Sequence, residues 1–285
     1  MTVAFRIIPK LDIKGPNLVK GVHLEGLRVL GKPEEFAKFY YEQGADELIY
    51  QDVVASLYGR NSLSEIISRT AKEIFIPLTV GGGIKTIQDI SDTLRSGADK
   101  VCINTGAINN PSFITEASKK FGTSTIVVGI EAIEQENGEY LAFTDNGRNE
   151  TGKNAIEWAI EAQKLGAGEV FITSVGREGT GKGLNSSLLE EVSNNLTIPV
   201  VGHGGVGSKE DVLDSARSKS LSGIAIASLF HYDFIELNRS LEGYEAEGNT
   251  EFLKSYKKLS NIKTIGVNEL KNFLSEEGIE LRKSV

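Results

Sequence analysis

Short runs of β-branched and apolar residues alternate along this chain with stretches whose apolar positions recur at helical spacing. The runs at Phe5 to Leu11, Glu47 to Val53, Ile76 to Val80, Lys100 to Asn104, Ser124 to Glu131, Glu169 to Ser174, Ile198 to His203 and Ser222 to Ala227 predict eight strands. Between them, Pro33 to Gln43, Leu63 to Glu73, Ile87 to Ser96, Pro111 to Lys120, Ala155 to Leu165, Leu188 to Asn194 and Lys209 to Ala216 read as helices, and a last one spans Val267 to Ser275. Strict alternation with eight strands predicts a TIM (β/α)8 barrel, an α/β fold whose ligand site lies at the C-terminal strand ends. Residues 1–285 read as one domain. The polar stretch at about 232–264 (Tyr232 to Thr264) reads as an insertion at that ligand end.

The chain also repeats itself. GADELIYQ at Gly44 to Gln51 matches GAGEVFIT at Gly166 to Thr173, and TVGGGI at Thr79 to Ile84 matches VGHGGV at Val201 to Val206, both at an offset of 122. Two similar half-barrels follow from this. Each glycine stretch lets backbone N–H groups converge on an anion, and each is followed about twenty residues later by a small-residue strand end. Gly82, Gly83, Asn104 and Thr105 would therefore hold one phosphate, and Gly204, Gly205, Ala227 and Ser228 another. The alternative is a pair of tight turns that hold no ligand. Paired cradles suggest a small molecule with a phosphate at each end.

Composition narrows the field. A net charge of −8 argues against general binding to nucleic acid or an anionic membrane, so phosphate affinity must be local. The lone Cys102, between Val101 and Ile103, reads as a core thiol, and three dispersed histidines (His23, His203, His231) predict neither a metal site nor a cofactor. Ser174 has no GxSxG elbow around it, which argues against a hydrolytic triad. With neither a leader pattern nor a membrane-length apolar run, a cytoplasmic protein is expected.

At the predicted ligand end, Asp12 and Glu131 close strands one and five. They are candidate acid/base carboxylates, or polar rim residues that hold loops. At the opposite end, Arg6, Glu47, Lys100 and Glu169 each precede an apolar run, and two charges of each sign make a neutral ring. A salt-bridge network closing the barrel is sufficient to explain that ring.

The runs RIIPKLDI, LVKGV, GADELIYQDVVAS, IPLTVGGGI, GADKVCINTGA, FGTSTIVVGIEA, EWAIEAQKLGAGEVFITS, GREGT, IPVVGHGGVG and IASLFH resemble, in order, the HisF cyclase subunits of imidazole glycerol phosphate synthase. The resemblance implies a lyase of histidine biosynthesis. A separate glutaminase subunit would supply ammonia to a bisphosphorylated aminoimidazole carboxamide ribonucleotide with a ribulosyl arm, giving imidazole glycerol phosphate and the aminoimidazole carboxamide ribotide. It further implies that Asp12 is a general acid/base, that Lys20, in a long first loop (Ile13 to Gly31), contacts phosphate, and that Asp52 binds substrate. A salt bridge from Asp52 to Lys20 or Arg60 is the plainer reading of that pair. The charged ring matches the family's ammonia gate. The chain departs from the family pattern at Glu131 (aspartate there), Lys10 (cysteine), Gly176 and Glu178 (aspartates) and His203 (a small residue). Two other readings stay open: a paralogue that passes ammonia from a glutaminase to a sugar amidotransferase in surface-polysaccharide synthesis, and the sister isomerase, against which the ring and GADELIYQDVVAS argue.

Overall fold

The eight apolar runs pair in parallel and close on themselves. In the computed structural model, which describes residues 4–55, 63–238 and 261–282, the barrel strands are β1 (Arg6–Lys14), β4 (Leu48–Asp52), β5 (Leu78–Gly81), β6 (Lys100–Ile103), β7 (Ile126–Glu134), β10 (Glu169–Ser174), β11 (Val200–His203) and β12 (Gly223–Ile226). Each pairs with the next in that order, and β12 returns to β1 with Arg6 opposite Gly223. Helices α1 (Pro33–Glu42), α2 (Ser64–Thr70), α3 (Ile87–Arg95), α4 (Thr105–Asn109), α5 (Ser112–Phe121), α6 (Ala155–Leu165), α7 (Ser186–Asn194), α8 (Lys209–Ser218), α9 (Ser228–Leu237) and α10 (Val267–Glu276) lie in the connections and after β12. This is the TIM barrel that the alternation predicts.

Two differences from the expected layout bear on the site. The segment after β1 is an antiparallel hairpin rather than a loop, with β2 (Asn17–Val22) and β3 (Glu25–Gly31) turning through His23 and Leu24, both at positive φ. Neither residue announces such a turn, so the period-2 pattern around it reads as loop. A second hairpin, β8 (Tyr140–Thr144) and β9 (Asn149–Asn154), extends β7 in the other half-barrel and turns at Asp145 and Asn146. Within the stretch expected as an insertion at about 232–264, Tyr232 to Leu237 belong to α9, and positions 239–260 lie outside the described residues.

Inward-pointing residues alternate along the strands and fill the barrel in layers. Ile8, Ile49, Cys102, Val127, Phe171, Val201 and Ala225 form an apolar cluster separate from the main core, two positions above the charged residues that open β1, β6 and β10. Cys102 is buried within it, and burial pushes its thiol up to about 12, which makes it an inert core group. The halves also repeat in their caps. Thr86 and Asp89 form a capping box on α3, while Ser208 and Asp211 form the same box on α8, 122 positions later.

Candidate functional site

The C-terminal strand ends carry a buried charge network. Lys10 and Asp12, two apart on β1, share one face of the strand and form an ion pair with almost no exposure. Burial opposes charge on Asp12, but Lys10 and then Lys20 outweigh it, so its carboxyl is held below the usual range. Glu131 on β7 is placed differently. Burial pushes it up to about 7, although its Oε2 accepts a hydrogen bond of 2.8 Å from the Gly147 N–H in the second hairpin. One carboxyl therefore stays ionised near neutrality while the other is poised between its two forms, a division of labour suited to paired acid/base chemistry.

Backbone geometry repeats at the two cradles. Gly82 has φ +106, and a Cβ there would sit 2.5 Å from the Asp52 carbonyl oxygen; Gly204 has φ +103, and a Cβ there would sit 2.6 Å from the Ser174 carbonyl oxygen. Only glycine fits either turn. Asn104 (φ −113, ψ −85) leads into α4 as Ala227 (φ −115, ψ −81) leads into α9. Gly82, Gly83, Asn104 and Thr105 line an open cavity of about 750 Å³, together with Lys10, Asp52, Asn146 and Glu131. Gly204, Gly205, Ala227 and Ser228 line a smaller one of about 230 Å³ with Glu178 and His203. Both candidate quartets are thus brought together.

Lys20, Glu178 and His203 are buried in the second half of the mouth. Lys20 is buried and pairs with Glu178, while its ammonium also donates to the Gly21 carbonyl at 2.8 Å. That places Lys20 beside the second cradle and not in a solvated loop. Glu178 takes a further hydrogen bond from the Leu24 N–H at 3.1 Å, and the Glu178 carbonyl accepts from the His23 N–H at 3.0 Å. The tip of the first hairpin is thereby fastened to the loop after β10. Asp52 accepts from the Val54 N–H at 3.0 Å and faces the first cavity. Sequence reasoning passed over Asn146 and Gly147, which line the first cavity and hold Glu131 respectively; the Asp145-Asn146-Gly147 run was the available signal.

At the other end, the four charges form a closed ring. Arg6 reaches Glu47 at 2.8 Å and Glu169 at 2.9 Å, and Lys100 reaches the same two carboxylates at 3.0 and 3.5 Å. Burial disfavours charge on both Arg6 and Glu47, but their partners more than offset it: Arg6 is held above its usual value and Glu47 below. With two residues of each sign, the ring is internally neutral.

A closed (β/α)8 barrel with a twofold-repeated mouth and an ion-pair ring across its opposite end defines the class: a TIM-barrel enzyme built from two half-barrels. The family model for "Histidine biosynthesis protein" matches residues 6–236. An imidazole glycerol phosphate synthase subunit HisF from Legionella pneumophila is 54% identical over 206 residues, which cover 72% of this chain and 97% of that relative. The chain belongs to the histidine biosynthesis protein family, in its HisF branch of lyase-type cyclases. No helix among the described residues is long and apolar enough to cross a membrane.

Proposed function

We propose that this chain is the cyclase subunit of an imidazole glycerol phosphate synthase, acting in the cytoplasm with a glutaminase subunit docked over Arg6, Glu47, Lys100 and Glu169. Ammonia enters at that ring, passes the apolar layer around Ile8 and Phe171, and meets the bisphosphorylated ribonucleotide at the mouth. The observation that carries the reading is the placement of two carboxyls at the C-terminal strand ends of opposite half-barrels. Buried Asp12 pairs with Lys10 on β1 and is pushed towards its charged form, while half-buried Glu131 on β7 is held by the Gly147 N–H and is pushed towards its neutral one. Adding ammonia to a ketone, losing water and closing an imidazole ring all need a group that takes a proton and one that returns it. With ammonium salt at alkaline pH, the purified chain is expected to convert the bisphosphorylated ribonucleotide to imidazole glycerol phosphate and the aminoimidazole carboxamide ribotide. Failure of the folded protein to do so would overturn this assignment.

A second reading is favoured by one specific feature. Lys10 neutralises Asp12, and Glu178 neutralises Lys20, so two charged groups expected to meet the substrate are already matched internally. A barrel that passes ammonia from a glutaminase to a sugar amidotransferase needs the ring but not free mouth charges. Glutamine-dependent amidation of a sugar substrate by the reconstituted complex, without cyclisation, is the result that would select it.

A further inference from the structure

Lys10 is a buried cation that so far has no task beyond neutralising Asp12. It stands on β1 between Ile8, in the apolar layer, and Asp12 at the strand end, and it is 3% exposed. Its ammonium carries three hydrogens, and one is donated to Asp12 Oδ1. No other acceptor among the described residues takes a hydrogen bond from its Nζ, and a buried donor left unpaired is costly. Lys10 lines the larger cavity and not the smaller one at the second cradle. Cys102 and Phe171 of the apolar layer line that same cavity, so ammonia leaving the layer arrives beside the ammonium. In the closed strand order the two cradles, on β5 with β6 and on β11 with β12, are separated by β1 and β4 on one side and by β7 and β10 on the other. A ligand seated in both cradles therefore carries its middle past Lys10.

Asp12 alone has no proton to give. Burial opposes its charge, but Lys10 and then Lys20 hold its carboxyl below the usual range, far from the value at which an acid works best near neutrality. We propose that Lys10 is a further catalytic residue, whose ammonium donates to the carbonyl oxygen that ammonia attacks, with Asp12 orienting it and returning its proton. Ammonia's lone pair forms the C–N bond while the carbonyl π pair moves onto oxygen, which takes a proton from Lys10. The new C–NH3+ nitrogen returns a proton to the Lys10 amine through Asp12. A carbinolamine remains, and the ion pair is restored. The chain has lysine where the family pattern has cysteine, so this donor is its own. The inference rests on the cyclase reading and deepens it by naming the group that protonates the ketone oxygen.

Steady-state turnover of the full-length chain with the bisphosphorylated ribonucleotide and saturating ammonium salt tests it, with melting temperature as the check on folding. Lys10→Met removes the donor, and kcat should fall by about 10²- to 10⁴-fold while KM for the ribonucleotide stays within about threefold. It also leaves Asp12 buried without its partner, which costs stability. Lys10→Arg keeps the positive charge beside Asp12, but a guanidinium does not deprotonate, so kcat should fall about tenfold or more even where Lys10→Met does not fold. Lys10→Cys, which installs the family's residue, should be as slow as Lys10→Met. Wild-type kcat in folded Lys10→Arg would make charge alone sufficient and overturn the proposal, as would wild-type kcat in Lys10→Cys or a rise in KM with kcat unchanged. No turnover by the folded wild type would overturn the cyclase reading, and the proposal with it.

Discussion

The two half-barrels share a backbone and differ in what they place on it. Gly82 and Gly204 make the same positive-φ turn against the carbonyls of Asp52 and Ser174, and all four positions keep the 122-residue offset. At that same offset, Gly81 in the first half corresponds to His203 in the second. The first cradle opens on about 750 Å³, and the second, crowded by His203 and Glu178, on about 230 Å³. Duplication supplies the turn geometry, because only glycine tolerates it; side chains that point into the mouth are free to differ. The halves thus teach that the turn geometry of a cradle and the side chains that line it are separable properties.

The sharpest way to break the symmetry is at the strand ends. Asp12→Asn removes the ionised member of the acid/base pair and should cut ammonia-dependent turnover by about 10²- to 10⁴-fold, measured by product formation with ammonium salt. Retained turnover would show that the second half alone carries the chemistry. For Glu131 the readout is stability. Its folded value of about 7 lies above the ordinary carboxylate value, so the folded state holds this proton more tightly than the unfolded state does. Stability from this group is therefore greatest at low pH and is lost as pH rises through 7, by about 3 kcal/mol over the full span. Glu131→Gln should match wild type in urea at pH 4 and exceed it at pH 8; equal midpoints at both would place Glu131 in solvent.

A paired substitution compares the cradles directly. Gly82→Ala and Gly204→Ala each force an L side chain into a left-handed turn and against a carbonyl, a strain of about 1–3 kcal/mol. Both should lower the melting temperature alike. Binding of ribulose 5-phosphate should suffer about tenfold or more from Gly82→Ala and much less from Gly204→Ala, if the first cradle is where a lone phosphate seats. Equal losses would return the cradles to equivalence.

Much of this was legible beforehand because it rests on period and on glycine. Alternation placed the barrel strands, and the two glycine stretches marked turns that no other residue can make. The ring was visible because Arg6, Glu47, Lys100 and Glu169 each stand at the foot of an apolar run. The pairings at the mouth were not legible. Lys20 meets Glu178 at a separation of 158 residues, and that contact exists only because a hairpin, turned by His23 and Leu24 without a glycine, carries Lys20 toward the loop after β10. Likewise, nothing local to Glu131 announces that Gly147 would hold it.

The floor offers the mildest test, and it asks whether symmetry matters where no ligand sits. Glu47 and Glu169 are 122 apart, but their cations come from Arg6 on β1 and Lys100 on β6, so the ring is only half repeated. Lys100→Glu would leave three carboxylates around one guanidinium. Because Lys100 and its partners retain some exposure, solvent screens the change, and the expected loss of stability is modest, about 1–2 kcal/mol. The larger consequence falls on whatever docks and passes there. In the complex with a glutaminase, glutamine-dependent turnover should drop, while turnover with free ammonium stays within about twofold, because external ammonia reaches the site through the open mouth. Parallel loss of both rates would reduce the ring to a structural clasp, and equal retention of both would remove it from the path of ammonia.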